Sequence, residues 1–319
     1  SPGRNTKESV LIQGSGDIDA NAQVRIPGHT IVNVCGTVNV TGTATSSDRS
    51  PFYARGTSDI EIPNATITGN AQYGMFFREV SNLHLGQIRL SMNVDESGLG
   101  IRIDNNPSSG GARVTNVQID SVHVERTGGH GVETYGVDGI TIGRVDGVYT
   151  GNCGLILNDT SNATVGSVDC DHCAYIGTGY AALRIANGAG RIGDDWPAGN
   201  IHVGEVNATG GGRGIFCVSA SGGLTVDRLD IDQVGGDPDI FIENCYNVTL
   251  AAESGTLNTG RAYIGYNSGN GAPSSNVIFQ NIVLQGGASV SEICLAEFGD
   301  LGNRANDVTG GTVSMCYGG

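Results

Sequence analysis

The chain has 319 residues, in which 17 lysines and arginines stand against 32 aspartates and glutamates, for a net charge of −15. This acidic balance argues against nucleic acid or an anionic membrane surface as the partner. No run of about 18 apolar residues occurs, so no membrane-spanning segment is predicted. Glycine numbers 52 and proline only 8, which is typical of many short strands joined by tight turns.

The first 34 residues carry two alternating apolar stretches, Val10–Ile12 and Val24–Ile26. From residue 58 an eight-residue pattern recurs that opens on small or turn-forming residues and then alternates apolar with mostly polar side chains. Its copies are SDIEIPNA at 58, SNLHLGQI at 81, TNVQIDSV at 115, DGITIGRV at 138, SNATVGSV at 161, GNIHVGEV at 199, GGLTVDRL at 222, YNVTLAAE at 246 and SNVIFQNI at 275. They start 23, 34, 23, 23, 38, 23, 24 and 29 residues apart. Such a period without helical patterning predicts a β-solenoid.

The predicted fold is therefore all-β: a single-stranded, right-handed parallel β-helix of about ten or more coils with a minimum of 23 residues each. No linker or change of composition divides the chain, so residues 1–319 are predicted to form one domain. Residues 1–34 would form the N-terminal cap and the first incomplete coil, and residues 290–319 the C-terminal cap. Caps are expected because a bare solenoid end exposes its core and a sheet edge.

A second, shorter strand precedes the repeated pattern in most coils. Its copies are FYAR (52–55), MFFR (75–78), IRID (101–104), VETY (132–135), LILN (155–158), LRIA (183–186), IFCV (215–218) and IFIE (240–243). Most are followed by residues that tolerate a left-handed bend, namely Gly56, Asn105, Gly136, Asp159, Asn187, Ser219 and Asn244. The first and third residues of each strand are predicted to point into the core, and the second and fourth outward.

Eight cysteines, at positions 35, 153, 170, 173, 217, 245, 294 and 316, indicate a disulfide-containing protein in which most are paired. Cys294–Cys316 and Cys217–Cys245 are the expected bridges, because each pair is separated by about one coil. Cys170 and Cys173 form a lone CxxC inside a repeat strand, so a metal site is the weaker interpretation. Six glycosylation sequons, at Asn39, Asn64, Asn158, Asn162, Asn207 and Asn247, fit a secreted, extracellular glycoprotein. A glycan on Asn158 would block the sheet, so we expect that residue to be unmodified.

The coil period, the turn asparagines and the strand pattern resemble the right-handed parallel β-helices of the pectin-lyase-like superfamily. The resemblance covers nearly the whole chain and implies a secreted enzyme that cuts polysaccharides in a groove over one parallel sheet. Gly129-His130-Gly131 and Asn93-Val94-Asp95 are similar to motifs of the polygalacturonase-type hydrolases. The aspartate pair and the Arg-Ile-Lys of those enzymes are absent from this sequence, and the calcium-binding aspartate cluster of pectate lyases is not evident. The resemblance thus identifies no family within the superfamily.

The outward residues of the short strands stack into two columns, because neighbouring coils lie about 4.8 Å apart. The second positions are Tyr53, Phe76, Arg102, Glu133, Ile156, Arg184, Phe216 and Phe241, and the fourth are Arg55, Arg78, Asp104, Tyr135, Asn158, Ala186, Val218 and Glu243. Charged and hydrogen-bonding groups gather between residues 55 and 184. An arginine-rich strip on an acidic protein predicts a groove for an anionic substrate.

Insertions at 105–113 and 187–199 flank these coils, and the second contains Trp196, the only tryptophan. Segments 93–97, 127–131 and 172–180 enter the same strands from the other edge. Walls around a polar floor predict a cleft, in which Trp196 would stack on a sugar ring. The alternative is that these loops vary freely and Trp196 covers an edge.

Two chemistries fit this floor. In β-elimination from a uronic acid, Arg102 and Arg184 would neutralise the carboxylate while Tyr135 or His130 moves a proton. In inverting hydrolysis, Asp104 and Glu133 would act as the acid and the base, since adjacent coils place their Cβ atoms roughly 8 Å apart. The arginine excess favours the lyase, and a non-catalytic carbohydrate-binding protein is the third hypothesis.

The candidate site has an inner and an outer set of residues. Glu133, Tyr135, Asp104, His130, Arg102 and Arg184 are predicted to be catalytic, and Arg55, Arg78, Asn158, Trp196 and Tyr53 to bind substrate. Glu133 beside Arg102 and Asp104 beside Arg78 also fit an ion-pair interpretation. A site elsewhere would use Asp95, Glu96 and His172. The expected partner is an acidic polysaccharide, with no metal or other cofactor, and the expected state is a monomer.

Overall fold

The computed structural model describes residues 6–46, 48–93, 98–106, 111–177, 179–187, 199–232 and 234–317. Within them lie 27 strands and two short 3-10 turns, Ser268–Asn270 and Ala296–Phe298. The strands are β1 (Glu8–Ile12), β2 (Gly16–Asp19), β3 (Val24–Arg25), β4 (Thr30–Val34), β5 (Thr37–Thr41), β6 (Phe52–Arg55), β7 (Ser58–Gly69), β8 (Tyr73–Arg78), β9 (Ser81–Met92), β10 (Leu99–Asp104), β11 (Val114–Glu125), β12 (Val132–Tyr135), β13 (Val137–Val148), β14 (Leu155–Asn158), β15 (Ser161–Asp171), β16 (Ala181–Ala186), β17 (Gly199–Thr209), β18 (Arg213–Val218), β19 (Gly222–Asp232), β20 (Ile240–Glu243), β21 (Tyr246–Asn258), β22 (Arg261–Gly265), β23 (Ser275–Gln280), β24 (Ile282–Gln285), β25 (Ser289–Glu292), β26 (Arg304–Asn306) and β27 (Thr312–Ser314).

The strands form two parallel sheets, which we name the long sheet and the short sheet. The long sheet has 15 strands, ordered β1-β4-β7-β9-β11-β13-β15-β17-β19-β21-β23-β26, with β2, β5 and β24 beside this path. The short sheet has 12 strands, ordered β3-β6-β8-β10-β12-β14-β16-β18-β20-β22-β25-β27. The repeated eight-residue pattern opens the long strands, and the second strand of each coil lies in the short sheet. About 11 turns of a β-solenoid result, as the repeat predicts.

The core lies between the sheets and is filled by the predicted inward residues. In the short strands Ile101, Ile103, Val132, Leu155 and Leu157 are each 0% exposed. Burial of a side chain of this size contributes roughly 1.5–3 kcal/mol. Since the same two positions repeat in every coil, the apolar interior continues along the axis of the β-helix. One hydrophobic cluster accordingly extends from Ala20 to Val290.

The bends after the short strands largely follow the prediction. Gly56, Gly136, Asp159, Ser219 and Asn244 all have positive φ, the conformation that small and Asx residues tolerate best. In the coil of β10 the left-handed residue is Asn106 rather than Asn105. Asn106 takes this role because its backbone N–H donates to the Asp104 carboxylate at 3.1 Å.

A ladder of asparagines runs along the start of the long strands. Asn82, Asn116, Asn162, Asn200, Asn247 and Asn276 all have positive φ and occupy equivalent places, with Gly139 and Gly223 in the same place on the two coils between. Their amides bond along the axis: Asn116 donates to Asn82 at 2.7 Å, and Asn200 donates to Asn162 at 2.7 Å. The ladder stabilises both the bend and the stacking, because each amide satisfies its neighbour.

The cysteines depart from the prediction. Cys294–Cys316 is a disulfide, as expected, and Cys170–Cys173 is a second one rather than a metal pair. The expected Cys217–Cys245 bridge is wrong, since both residues are free and buried, as is Cys153, while Cys35 is free and exposed. In the structure the two thiols instead share a hydrogen-bond partner. Ser221 Oγ lies 3.3 Å from Cys217 Sγ and 3.6 Å from Cys245 Sγ, so both thiols contact one hydroxyl.

In the described part of the chain, no helix is long and apolar enough to cross a membrane. The same residues contain no group of three or more His, Cys, Asp or Glu side chains placed to hold a metal ion.

Candidate active site

The candidate site lies on the outer face of the short sheet, where β10 and β12 pair in parallel. Their register sets Arg102 beside Glu133 and Asp104 beside Tyr135, and β14 sets Asn158 beside Tyr135. The predicted columns are therefore present. Two of the outward residues are nevertheless shielded from solvent, since Asp104 is 0% and Glu133 5% exposed.

Asp104 is held by two arginines. Arg78 makes a two-pronged contact, Nε to Oδ1 at 2.7 Å and Nη2 to Oδ2 at 2.8 Å. Arg102 Nε donates to Oδ2 at 2.7 Å. Burial alone would raise the pKa of Asp104, but the hydrogen bonds from Arg78 and Arg102 outweigh it, and the pKa lies below its usual value. Asp104 thus stays ionised to a lower pH than an ordinary aspartate, and it orients two guanidinium groups.

Glu133 shares Arg102 with Asp104 but has a different environment. Arg102 Nη1 donates to its Oε2 at 2.8 Å, and no hydrogen bond from the described residues engages Oε1. Burial raises the pKa of Glu133; Arg102 opposes this effect and the Asp104 charge adds to it. A carboxylate with a raised pKa and one open oxygen is suited to accept a proton.

His130 lies in the turn before β12 and is 8% exposed. Its Nδ1 accepts the backbone N–H of Cys153 at 3.1 Å. Burial lowers the pKa of His130 to about 3, with further lowering by Arg184 and Arg102. The ring is therefore neutral, and because Nδ1 is an acceptor, Nε2 carries the proton. His130 is a hydrogen-bond donor at this site and not the base that the sequence allowed.

Tyr135 is half-buried on the same strand as Glu133, with the Arg102 guanidinium 5.6 Å from its ring centroid. Burial raises the pKa of Tyr135, and the nearby Asp159 and Glu133 charges raise it further. The phenol therefore keeps its proton at neutral pH and can donate it.

Arg184 lies three coils from Arg102 and two from Glu133. Its guanidinium is 5.6 Å from the Tyr180 ring and 5.2 Å from the Phe216 ring. Its Nε is buried without a hydrogen-bond partner. Within the described residues it forms no ion pair. Arg78 and Arg102 are already neutralised by Asp104 and Glu133, and Arg55 is paired with Glu79. Among the arginines of the predicted site, Arg184 is therefore the one available to an anionic group.

Comparison with protein-family models finds no match, and neither does comparison with curated proteins. Among solved structures, the fold is similar to the A-module of the mannuronan C-5 epimerase AlgE4 of Azotobacter vinelandii, with a TM-score of 0.56 and 12% sequence identity. The match covers 98% of this chain and 90% of that chain. This chain is a right-handed parallel β-helix. At such low identity the likeness concerns the fold, and it confirms the architecture that the repeat predicts.

Of the predicted outer residues, Tyr53 and Arg55 lie on β6, two coils from Arg102, whereas Asn158 lies beside Tyr135 on β14. Tyr53 packs against Phe76 at a centroid distance of 5.4 Å, and Arg55 Nε pairs with Glu79 at 3.0 Å. Asn158 is 6% exposed. His172 stacks on Tyr149 in the turn after β15, at 4.7 Å, away from the cluster around Glu133. Trp196, Asp95 and Glu96 lie outside the described residues.

Two tyrosines of the site were not predicted. Tyr73 is 9% exposed and packs on Phe76 at 4.9 Å; burial raises its pKa, and Arg102, Asp48, Glu133 and Asp104 act on it electrostatically. The Tyr180 ring lies 5.3 Å from the His130 ring. Tyr73 is the first residue of β8, and Tyr180 immediately precedes β16. Both lie before the four-residue pattern from which the columns were drawn, so those columns did not include them.

Proposed function

We propose that this β-helix is an enzyme that acts on a uronic-acid polysaccharide by β-elimination. The observation that carries the proposal is the free Arg184 cation near a buried Glu133 of raised pKa. The name of its structural neighbour, a mannuronan C-5 epimerase, supports the substrate class, because inverting C5 of a uronate requires removal of the same proton.

The first step is neutralisation of the substrate carboxylate. The Arg184 guanidinium can bind a carboxylate with two parallel N–H bonds. Drawing negative charge from the carboxylate acidifies the C5 hydrogen beside it, and the half-buried position strengthens this effect over that in water.

The second step is proton transfer. Glu133 Oε1 takes the C5 proton, and the C–H electrons form the C4–C5 double bond. The C4–O4 bond breaks, and its oxygen takes the phenolic proton of Tyr135, which solvent later restores. The neutral His130 ring offers its Nε2–H as a second hydrogen-bond donor toward the developing negative charge. In this assignment Tyr135 and His130 serve as donors, since both hold their protons at neutral pH.

Inverting hydrolysis is less favoured by this geometry. Its two carboxylates must hold a water and a sugar between them. Here both oxygens of Asp104 are taken by arginines, and the Arg102 guanidinium bridges Asp104 and Glu133. Asp104 therefore has no free oxygen for acid or base work.

The test incubates the protein with homopolymeric uronates in heavy water. β-Elimination raises absorbance near 235 nm together with reducing ends. Reducing ends alone would indicate a hydrolase, and deuterium at C5 without unsaturation would indicate epimerisation; either refutes elimination. Binding without any chemical change would make the protein a carbohydrate-binding module.

We also propose that the protein acts outside the cell as a monomer. Two disulfides support the extracellular part, because such bonds persist in oxidising compartments.

A further inference from the structure

Two arginines flank one phenylalanine at the end of the candidate site. The guanidinium carbon of Arg184 lies 5.2 Å from the Phe216 ring centroid, and that of Arg213 lies 5.1 Å from the same centroid. The β16–β18 register sets Arg184 beside Phe216. Both cations therefore cover one ring on adjacent coils, which are about 4.8 Å apart.

Arg213 is deeply buried for a cation. It is 8% exposed, its Nε has no hydrogen-bond partner, and its hydrogen bond to the Asp237 carbonyl is long, at 3.4 Å. Burial lowers the pKa of Arg213; the charges of Asp237 and Glu243 oppose this effect, and the nearby Arg184 charge adds to it. A buried charge without a counter-ion is costly.

The acidic groups around Arg213 are engaged elsewhere. Asp237 pairs with Arg261 at 3.0 Å, and Glu243 accepts the Asn270 amide at 3.2 Å. Burial raises the pKa of Asp239 to about 6, so its negative charge is only partly developed near that pH. Within the described residues none of the three forms an ion pair with Arg213.

We propose that Arg213 forms a second carboxylate subsite, one coil beyond Arg184, and that the β-helix therefore selects chains with at least two consecutive uronic acids. This inference rests on the proposed function, because Arg184 is taken to bind the uronate that reacts. A pyranose in an extended 1,4-linked chain is about as long as the coil spacing. A chain that lies along the axis thus presents successive carboxylates to Arg184 and Arg213.

The series of free cations ends at the next arginine. Arg261 lies over the Tyr263 ring at 4.5 Å, but its Nη2 is paired with Asp237. The free arginines can therefore bind only a short contiguous stretch of the polysaccharide, with one carboxylate at each of two coils.

The first test varies the ligand and leaves Arg213 unchanged. It compares, by calorimetry with Glu133→Gln protein to prevent turnover, two hexasaccharides with the same acid: one of galacturonate alone and one alternating galacturonate with rhamnose. A second pair of ligands, based on glucuronate, is measured in parallel. Its contiguous member is a fragment of the glucuronate homopolymer, and its alternating member is a hyaluronan hexasaccharide. We expect the contiguous member of a pair to bind at least about 10-fold more tightly, the effect of one charge-assisted hydrogen-bonded pair. Equal affinity within both pairs overturns the proposal.

The second test uses Arg213→Gln, with Arg228→Gln as the matched control. Arg228 lies on the long sheet and pairs with Glu253 at 2.7 Å. Its replacement by glutamine removes one positive charge, as Arg213→Gln does, but away from the proposed subsite. We expect Arg213→Gln to remove the preference for the contiguous oligomer and Arg228→Gln to preserve it. A folded Arg213→Gln protein that keeps the preference refutes the subsite.

The two proposals fail separately. Contiguous preference without any elimination product would leave the subsite intact and refute the lyase. Elimination on contiguous and alternating chains with equal KM would support the lyase and refute the subsite.

Discussion

Asp104 and Glu133 show how one arginine can serve two carboxylates with opposite results. Both contact Arg102, yet the pKa of Asp104 lies below its usual value and that of Glu133 lies above it. The difference arises because Asp104 also has the two-pronged contact with Arg78, whereas Glu133 has one ion-pair partner and the Asp104 charge nearby. Because their environments move the two carboxyl pKa values in opposite directions, Asp104 and Glu133 are suited to different roles.

Glu133→Gln should lower kcat at least about 100-fold, as expected for loss of a general base, while oligouronide affinity changes little. In the unmodified enzyme, activity requires ionised Glu133. It should therefore be lost as pH falls through the raised pKa of Glu133, at a higher pH than for an ordinary glutamate. A kcat against pH profile and calorimetric binding measure both effects. Full turnover by the variant would move the site elsewhere.

His130 should make the fold sensitive to acid. Its folded pKa, about 3, lies below the unfolded value of about 6.5, so between these values only the unfolded state binds the proton. This contribution to stability is fully present above the unfolded pKa and is lost as pH falls toward the folded one. In His130→Asn, whose amide oxygen can still accept the Cys153 N–H, the unfolding free energy should fall less steeply with acid, by about 1.4 kcal/mol per pH unit. Urea titrations across this range measure the slope, and parallel slopes in both proteins would contradict the assignment.

At the scale of the strand, the sequence predicts register well and shielding poorly. Alternation alone sets Arg102 beside Glu133, because a one-residue slip would turn Ile101 and Ile103 outward. It cannot tell that Arg78 and Arg102 turn toward Asp104 rather than toward substrate, since that choice depends on side-chain rotamers. Tyr73 and Tyr180 were missed because they lie before the four-residue pattern that defined the columns, Tyr73 at the start of β8 and Tyr180 just before β16.

The asparagine ladder can be tested at Asn116, whose φ is 54°. Asn116→Ala should cost about 2 kcal/mol, since it loses the bond to Asn82 and places a Cβ in the left-handed region. Asn116→Gly is the matched control. It also loses the hydrogen bond to Asn82, but glycine adopts a positive φ without strain, so this variant should be destabilised less. Gly139 already fills the equivalent place one coil on. Chemical denaturation gives both values, and an alanine variant as stable as the parent would show that the ladder contributes nothing.

The four free cysteines should react in two classes. Cys35 is exposed and should react with a thiol reagent in the native protein, whereas Cys153, Cys217 and Cys245 are buried and should react only after denaturation. The expected counts are thus one thiol in the native state and four in the denatured, unreduced state. A count of two thiols in the denatured state would indicate that Cys217 and Cys245 are bridged after all, and a count of eight would exclude both disulfides.

Across the whole molecule, charge is divided between surfaces. The protein carries a net charge of −15, while Arg184 and Arg213 form a local cationic strip on the short sheet. The net charge repels a polyanion overall, whereas Arg184 and Arg213, which form no ion pair within the described residues, would attract it locally. Such an arrangement favours specificity over general adhesion.

The sheet pairing that builds the site also determines how the protein bears load. Each coil is bonded to its neighbours by parallel ladders such as β11 to β13 and β12 to β14, and these hydrogen bonds run along the long axis. A force that pulls the ends apart therefore loads the coils one after another, beginning at an end. Each release should lengthen the tether by roughly 75 Å, the contour of about 23 residues at about 3.3 Å each. In an optical trap the β-helix should unwind in a staircase of such steps, and a single large rupture would mean that the coils yield together.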